Sequence, residues 1–371
     1  MSVPLLDLNR QNAPLHTELL AAFERVVRSG HFIQGPEVEA FERECAQFLG
    51  AKHAIAVSSG TDAILVALMA LDLVPGDEVI CPSFTFFATA GCISRVGATP
   101  VFADVHPDSF NLDAADVARR ITPRTKAIMP VHLFGQSADL DPLLTLAKKH
   151  GLAVIEDAAQ ALGAKHRGKS CGTIGDFGTY SFFPSKNLGG FGDGGLVATD
   201  RHDLAEKVRL LRTHGAKPKY FHARIGGNFR LDALQCALLR VKLPHLPAYC
   251  AARQRNAAFY AEKFSGLEGI TLPTAAPHNE HIWNQYTLRL PGTGRREALR
   301  AHLTAHGIGH EIYYPLPLHR QACFSHLPAV SLPVSEALAN EVVSIPIFPE
   351  LTVDERASVA VAIAAFASGS N

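Results

Sequence analysis

The hydrophobic positions fall into short unbroken runs separated by longer segments of mixed polarity. Residues 54–57, 78–81, 99–103, 127–131, 152–155 and 195–199 are each four or five residues long and mostly apolar. Runs of that length without polar alternation read as strands buried on both faces. The segments between them have helical length: an apolar stretch after Ser58-Ser59-Gly60-Thr61 to about Leu71, a patterned one at 140–150, and a charged amphipathic one at 203–212. Alternation of buried strands with helices predicts a layered α/β fold with a largely parallel sheet. A second region begins near Pro244-His245-Leu246-Pro247. It reads as a long helix, a strand at 286–290, a helix at 295–305 and a closing helix at 353–366. The pattern therefore predicts a large domain over 1–245 and a smaller α+β domain over 246–371.

Composition narrows the classes without naming one. The 371 residues can bury a large core and fill two domains. With 35 Lys+Arg against 35 Asp+Glu, the chain gives no electrostatic reason to expect nucleic acid or an anionic membrane as a partner. The 7 Cys are scattered, with no Cys-x-x-Cys pair, which predicts buried reduced thiols and a cytoplasmic setting. The opening Met1-Ser2-Val3-Pro4-Leu5-Leu6-Asp7 has neither a basic start nor an apolar signal core. The apolar stretch 63–73 is interrupted by Asp72 and too short to span a bilayer. Among the 18 His, the pairs His278/His281 and His306/His310 lack a third ligand at a persuasive spacing, so no metal site is expected.

Three features carry chemistry. Glu156-Asp157-Ala158-Ala159-Gln160 follows a strand, and carboxyl ends of parallel strands line the ligand crevice of α/β sheets. Asp157 there either caps a following helix or reaches a ligand. Lys186, in Ser181-Phe182-Phe183-Pro184-Ser185-Lys186-Asn187-Leu188-Gly189-Gly190, has apolar neighbours that would favour a neutral, nucleophilic amine. Ser58-Ser59-Gly60-Thr61 ends a strand and opens a helix, which suits either plain capping or a phosphate on free N–H groups. The glycine-rich run 189–195 precedes a strand, so it does not fit a dinucleotide loop, which follows one. Together, an aldehyde-binding amine, a carboxylate for a pyridinium nitrogen and a phosphate cup point to pyridoxal phosphate.

On these residues the chain resembles the nucleotide-sugar aminotransferases of the DegT/StrS type, a branch of the fold-type-I pyridoxal-phosphate enzymes. The resemblance runs from Ser29-Gly30-His31-Phe32-Ile33-Gln34-Gly35-Pro36 through Pro82-Ser83-Phe84-Thr85-Phe86, Gly192-Asp193-Gly194-Gly195 and Gly227-Asn228-Phe229-Arg230 to Tyr313-Tyr314-Pro315-Leu316-Pro317-Leu318-His319. It implies a three-layer fold with a central, mostly parallel sheet and a smaller C-terminal domain. It implies that Lys186 forms the Schiff base, Asp157 partners the pyridinium, Gln160 meets the ring hydroxyl and Phe86 stacks on the ring. Many relatives have Tyr or Trp where this chain has Phe86. Gly60, Thr61 and Ser181 match the phosphate donors. Asn228 matches a residue that enters the neighbouring subunit's phosphate site, which implies a homodimer with shared active sites. Arg230 either faces the active site or pairs with an acid such as Asp232. Tyr313, Tyr314 and His319 fall in the family's sugar-facing segment, in a version similar to that of sugar 3-aminotransferases. The implied reaction moves an amino group from L-glutamate to C3 of a UDP- or dTDP-linked keto-sugar. The alternatives are amination at C4, a sugar 3-dehydratase, whose members carry His in place of the lysine, and a non-catalytic regulator.

Overall fold

The computed structural model describes residues 2–369; Met1, Ser370 and Asn371 lie outside them. The strands in chain order are β1 (His53–Val57), β2 (Glu78–Pro82), β3 (Thr99–Ala103), β4 (Thr125–Ile128), β5 (Ala153–Asp157), β6 (Lys165–His166), β7 (Lys169–Ser170), β8 (Phe177–Ser181), β9 (Gly195–Thr199), β10 (Asn279–Glu280), β11 (Tyr286–Arg289) and β12 (Val342–Ile345). Seven of them form one sheet in the order β1-β9-β8-β5-β4-β2-β3. β9 runs antiparallel to both of its neighbours, while β8, β5, β4, β2 and β3 pair in parallel. This is the mixed, mostly parallel sheet of an α/β fold, covered by helices on both faces, which is why most of its strand residues are buried.

The helix Gly60–Ala70 has no exposed residue. It is apolar almost all round, as a helix between two layers must be. It packs on β8 and β9 and also meets the helices Ala88–Arg95 and His202–Leu211. Its start lies directly on the start of β9: a Cβ on Gly195 would sit 2.2 Å from the Ser59 carbonyl oxygen. Glycine is what permits that approach.

The chain departs from its hydrophobic pattern at two strand ends. The run 127–131 reads as one strand, but β4 stops at Ile128. Pro130 has no N–H to continue the ladder. Its carbonyl still accepts from Asp157 N at 2.8 Å, and Val131 returns as an isolated bridge to Asp157. β5 is correspondingly longer than its apolar run and carries Glu156 and Asp157 inside the sheet.

After the helix Leu246–Phe264, the chain builds a second layer. β11 pairs antiparallel with β12, backed by the helices Arg295–Ala305 and Val353–Ala367. Thr352 and Glu355 form a capping box that fixes the start of the last helix. Val3 also belongs to this layer. Its N–H and C=O bond Gly307 and Gly309, and its side chain joins the core with Tyr260, Phe264 and Tyr286. Conversely, Leu318, Phe324 and Leu332 bury in the core of the large sheet. A small sheet, β10-β6-β7, links the two parts of the chain. Six of the seven Cys are buried free thiols, and Cys323 is exposed. Among the described residues no helix is long and apolar enough to cross a membrane.

Candidate active site

The carboxyl end of β5 carries two adjacent carboxylates that strand alternation sends to opposite faces. Glu156 is fully enclosed. Ala138 N–H donates to His132 Nδ1, so the His132 Nε2–H donates to Glu156, at 2.8 Å. The backbone N–H groups of Gly172, Ile174 and Gly175 also donate to it, at 2.7, 2.7 and 2.6 Å. Burial pushes the Glu156 carboxyl pKa up, but these donors more than offset it and hold it below its usual value. Asp157 has fewer partners: Thr89 Oγ1 at 2.8 Å and the Ala159 N–H at 3.2 Å. For Asp157 burial prevails, and its pKa is raised despite these donors and the charge of Lys186.

Asp157 forms part of a cleft of about 450 Å³, also lined by Gly60, Thr61, Phe86, Gln160, Ser181, Lys186, Tyr313 and Tyr314. That volume suits a cofactor or a small ligand. Ser59 caps the helix Gly60–Ala70 through the Asp62 N–H. Gly60 and Thr61 therefore present the first-turn N–H groups that a helix leaves without internal acceptors. A Cβ on Gly60 would lie 2.7 Å from Ser181 Cβ, so glycine lets the helix start and the Ser181 hydroxyl converge.

Lys186 follows β8 on the turn 182–190 and is part-exposed, into the cleft. Among the described residues its Nζ makes no hydrogen bond or salt bridge. Burial lowers its pKa to about 8, and the charge of Asp157 limits the fall. Gln160 is oriented by its surroundings: Oε1 accepts from the Phe134 N–H at 2.7 Å, and Nε2 donates to Tyr314 Oη at 3.1 Å. Phe86 stands half-exposed at the cleft, its ring 6.3 Å from that of Tyr314.

Three residues singled out in the sequence lie elsewhere. Asn228 is exposed, beyond a loop that displays Tyr220, Phe221 and Ile225. Arg230 is held by a backbone bridge to Val57; it neither lines the cleft nor pairs with Asp232, and its Nε is buried without a partner among the described residues. His319 faces Ser83 Oγ at 2.6 Å and Glu336 at 3.1 Å. It fastens the segment after Tyr314 to the end of β2, where the Leu318 N–H also bonds the Ser83 carbonyl. The cleft also contains Thr85 and Ser185, which lie within the quoted motifs without an assigned role, and Gln285, which no motif includes, with Thr89 behind Asp157. Thr89 lies 68 residues from Asp157, and no spacing signal links them. Gln285 Oε1 is buried without a partner among the described residues, an acceptor left for a ligand.

The chain matches the family model of the DegT/DnrJ/EryC1/StrS aminotransferases over residues 14–364. It belongs to that family. A pleiotropic regulatory protein of Geobacillus stearothermophilus is 47% identical over 99% of each chain. A UDP-N-acetyl-3-dehydro-α-D-glucosamine 3-aminotransferase of Acidithiobacillus ferrooxidans is 46% identical over 98% of this chain and 97% of its own. Among solved structures, S. venezuelae DesV in complex with a ketimine intermediate superposes with a TM-score of 0.95 at 44% identity, covering 99% of this chain and 98% of its own. Like the DegT/DnrJ/EryC1/StrS family at large, this chain is a pyridoxal-phosphate-dependent aminotransferase of the α/β fold described above. The cleft fits that cofactor on its own evidence: an unpartnered amine, a carboxylate short of donors, and a glycine-narrowed helix start beside a hydroxyl.

Proposed function

We propose that this chain transfers an amino group from L-glutamate to C3 of a UDP- or dTDP-linked 3-oxo sugar. The observation that carries the reading is the unpartnered Lys186 amine, part-exposed to a cleft whose floor is Asp157. When bound, pyridoxal phosphate supplies an aldehyde carbon to carry the amino group and a ring that withdraws electrons from it.

The protein's own groups do the rest. Gly60 N–H, Thr61 N–H and Ser181 Oγ would hold the phosphate, and Phe86 would face the ring. Gln160, fixed through Phe134 and Tyr314, would hydrogen-bond the ring hydroxyl. Asp157, steadied by Thr89 and Ala159, would hold a proton on the ring nitrogen, and a positive nitrogen beside it would bring the carboxyl back to its charged form. Lys186 Nζ would anchor the aldehyde carbon and, as a free amine, would carry the proton to and from the carbon that bears the amino group. A pKa of about 8 lets it do both near neutral pH.

The position C3 is supported by the Acidithiobacillus relative, whose name specifies a 3-aminotransferase of a UDP-sugar. Tyr313 and Tyr314 form the wall where the sugar would lie. A second copy of the chain would bring its Asn228 to the phosphate end, and the exposed Phe221 and Ile225 beside that residue suit an interface. The unpaired buried thiols suit a cytoplasmic enzyme. The regulatory name of the Geobacillus relative does not account for a cleft equipped this way.

The direct test runs the reaction in reverse. UDP- and dTDP-linked 3-amino and 4-amino sugars are each incubated with 2-oxoglutarate, and glutamate release is measured. Turnover confined to 3-amino sugars is the expected result; turnover of 4-amino sugars alone overturns the C3 assignment. For the shared site, an inactive Lys186→Ala chain mixed with an Asn228→Asp chain regains activity through hybrid dimers. No recovery on mixing counts against it.

A further inference from the structure

Outside the cleft, one cluster of side chains has more acceptors than protons. His166 on β6 is almost fully buried, with 3% of its side chain exposed. Asn279 on β10 donates its amide N–H to the Ser137 carbonyl at 2.9 Å. Its Oδ1 is thereby turned to His166 Nδ1, at 2.9 Å. Flipping the amide would set oxygen against the Ser137 oxygen, so the orientation stands. His166 Nδ1 therefore carries the hydrogen, and in a neutral ring Nε2 presents a lone pair. That lone pair faces Asp141 Oδ1 at 3.3 Å, acceptor against acceptor. Either the ring is an imidazolium that donates from both nitrogens, or a cation stands between the two.

The surroundings favour a cation. His278 packs edge-on against His166, with ring centroids 5.0 Å apart, and its Nε2 is buried without a partner among the described residues. Asp139 caps the helix Leu140–His150 without a side-chain hydrogen bond, and its exposed carboxylate has no partner among the described residues. One ligand atom from each of Asp139, His166 and His278 lies within 4.8 Å of the other two. A tetrahedral zinc ion with bonds of about 2.0–2.1 Å holds neighbouring ligand atoms about 3.3 Å apart. His166 and Asp141 already have that separation. Asp139, exposed at a helix start, has room to close in. The Asn279 bond to Nδ1 is the outer hydrogen bond that usually fixes the tautomer of a metal-binding histidine.

We propose that Asp139, His166 and His278 bind a divalent transition-metal ion, zinc by the chemistry of imidazoles and carboxylates, with Asp141 Oδ1, 3.3 Å from His166 Nε2, at the fourth position. The site is structural. It ties the loop at His278 and strand β10 to β6 and to the start of the helix Leu140–His150. The two segments it joins also meet beside the cleft: Asn284 N–H and Ile282 N–H bond the Phe134 and Gly135 carbonyls. The proposal does not depend on the sugar or amino donor. His278 and His281 do not form the site between them, because His281 turns inward and stacks on Trp283 at 3.8 Å.

The test uses the full-length holoenzyme, stripped with a chelator and then dialysed against micromolar Zn²⁺ or Co²⁺. The expected result is one ion per chain and the intense visible bands of four-coordinate cobalt. Thermal stability should rise by about 3 °C when Zn²⁺ is a hundredfold above its Kd. His278→Ala and, separately, the exposed Asp139→Asn should each weaken binding at least tenfold and remove the chelator's effect on Tm. Asn279→Ala, which touches no metal, should weaken it by about tenfold. Transamination by the two ligand variants should stay within about twofold of the parent, since neither residue lines the cleft. Substoichiometric uptake by the parent, or equal uptake by the parent and both ligand variants, would overturn the proposal.

Discussion

Lys186 and Lys242 share a titration behaviour and little else. Burial lowers the pKa of each to about 8. Lys242 is 1% exposed, donates to the Gly189 carbonyl at 2.6 Å and lies 5.4 Å over the Phe191 ring. Lys186 is left without a hydrogen bond, at the edge of a cleft. Glu156 and Asp157 repeat the contrast in carboxylates. One has a histidine and three backbone donors; its neighbour has two donors and a raised pKa. A shifted pKa alone therefore does not mark a functional site here. What distinguishes Lys186 and Asp157 is that the protein leaves their partners unsupplied, so a ligand must complete them.

The contrast is most exposed at the lysines. Lys186→Ala should lower transamination by about 10⁴-fold or more while Tm moves by no more than about 2 °C. It should also abolish the borohydride-reducible attachment of the cofactor to the chain. Lys242→Met should do the opposite. It strips a donor from a buried carbonyl and should cost about 2–3 kcal/mol of stability, with kcat per folded molecule nearly unchanged. If Lys242→Met lost activity without losing stability, the division between filled and open partners would fail.

The carboxylates sharpen the same point. Asp157→Asn should lower kcat by about 10²–10³-fold with little change in Tm, because the amide cannot hold the ring-nitrogen charge. Glu156→Gln leaves His132 and three N–H groups facing a neutral amide. It should cost about 3 kcal/mol of stability while sparing chemistry in the molecules that fold. Equal losses of kcat from both would show that these side chains do not divide the work.

A buried base with its needs already met should respond to acid. His281 accepts from the backbone N–H of Trp283 at 2.9 Å and is buried; burial lowers its pKa to about 3. Unfolded, the same ring titrates near 6.5, so between those values the unfolded chain binds the extra proton. The contribution of His281 is whole above about pH 6.5 and is lost as pH falls towards 3, on the order of a few kcal/mol. Urea unfolding of the parent and of His281→Phe across pH 7 to 4 should converge as the pH drops. Parallel curves would place the acid sensitivity elsewhere.

The parts of the molecule that were legible in the sequence are those set by local rules. β3, β9 and the helices Leu140–His150 and Arg295–Ala305 coincide with their hydrophobic runs, because burial on both faces or on one stripe fixes their bounds. β4 ends early because Pro130 breaks a ladder that the apolar pattern alone would continue. β6, β7 and β10 are two residues each and too short to leave a pattern. In the cleft, turn and strand-end motifs located Gly60, Thr61, Asp157 and Lys186. Gln285 in the cleft and Thr89 behind Asp157 arrive there only through folding, since no sequence spacing links either to the other site residues. His319 shows the reverse: its motif pointed towards the sugar, while its ring is occupied by Ser83 and Glu336.

Tyr314 tests the contrast where it is finest, since its hydroxyl is half satisfied. It accepts from Gln160 Nε2, and burial pushes its pKa well up, so it keeps its proton and has one O–H left to donate into the cleft. Tyr314→Phe removes that donor and strands the Gln160 N–H, a loss of about 1–1.5 kcal/mol, or roughly tenfold in rate. The loss should fall on the half-reaction with the amino sugar, and the half-reaction with glutamate should change by less than about threefold, because the aromatic wall of Tyr313 and Tyr314 is where the sugar is placed. Stopped-flow absorbance of the cofactor follows each half-reaction separately. Equal losses in both would assign the hydroxyl to the cofactor through Gln160, and the tyrosine would then join Asp157 among the groups completed by the ring rather than by the sugar.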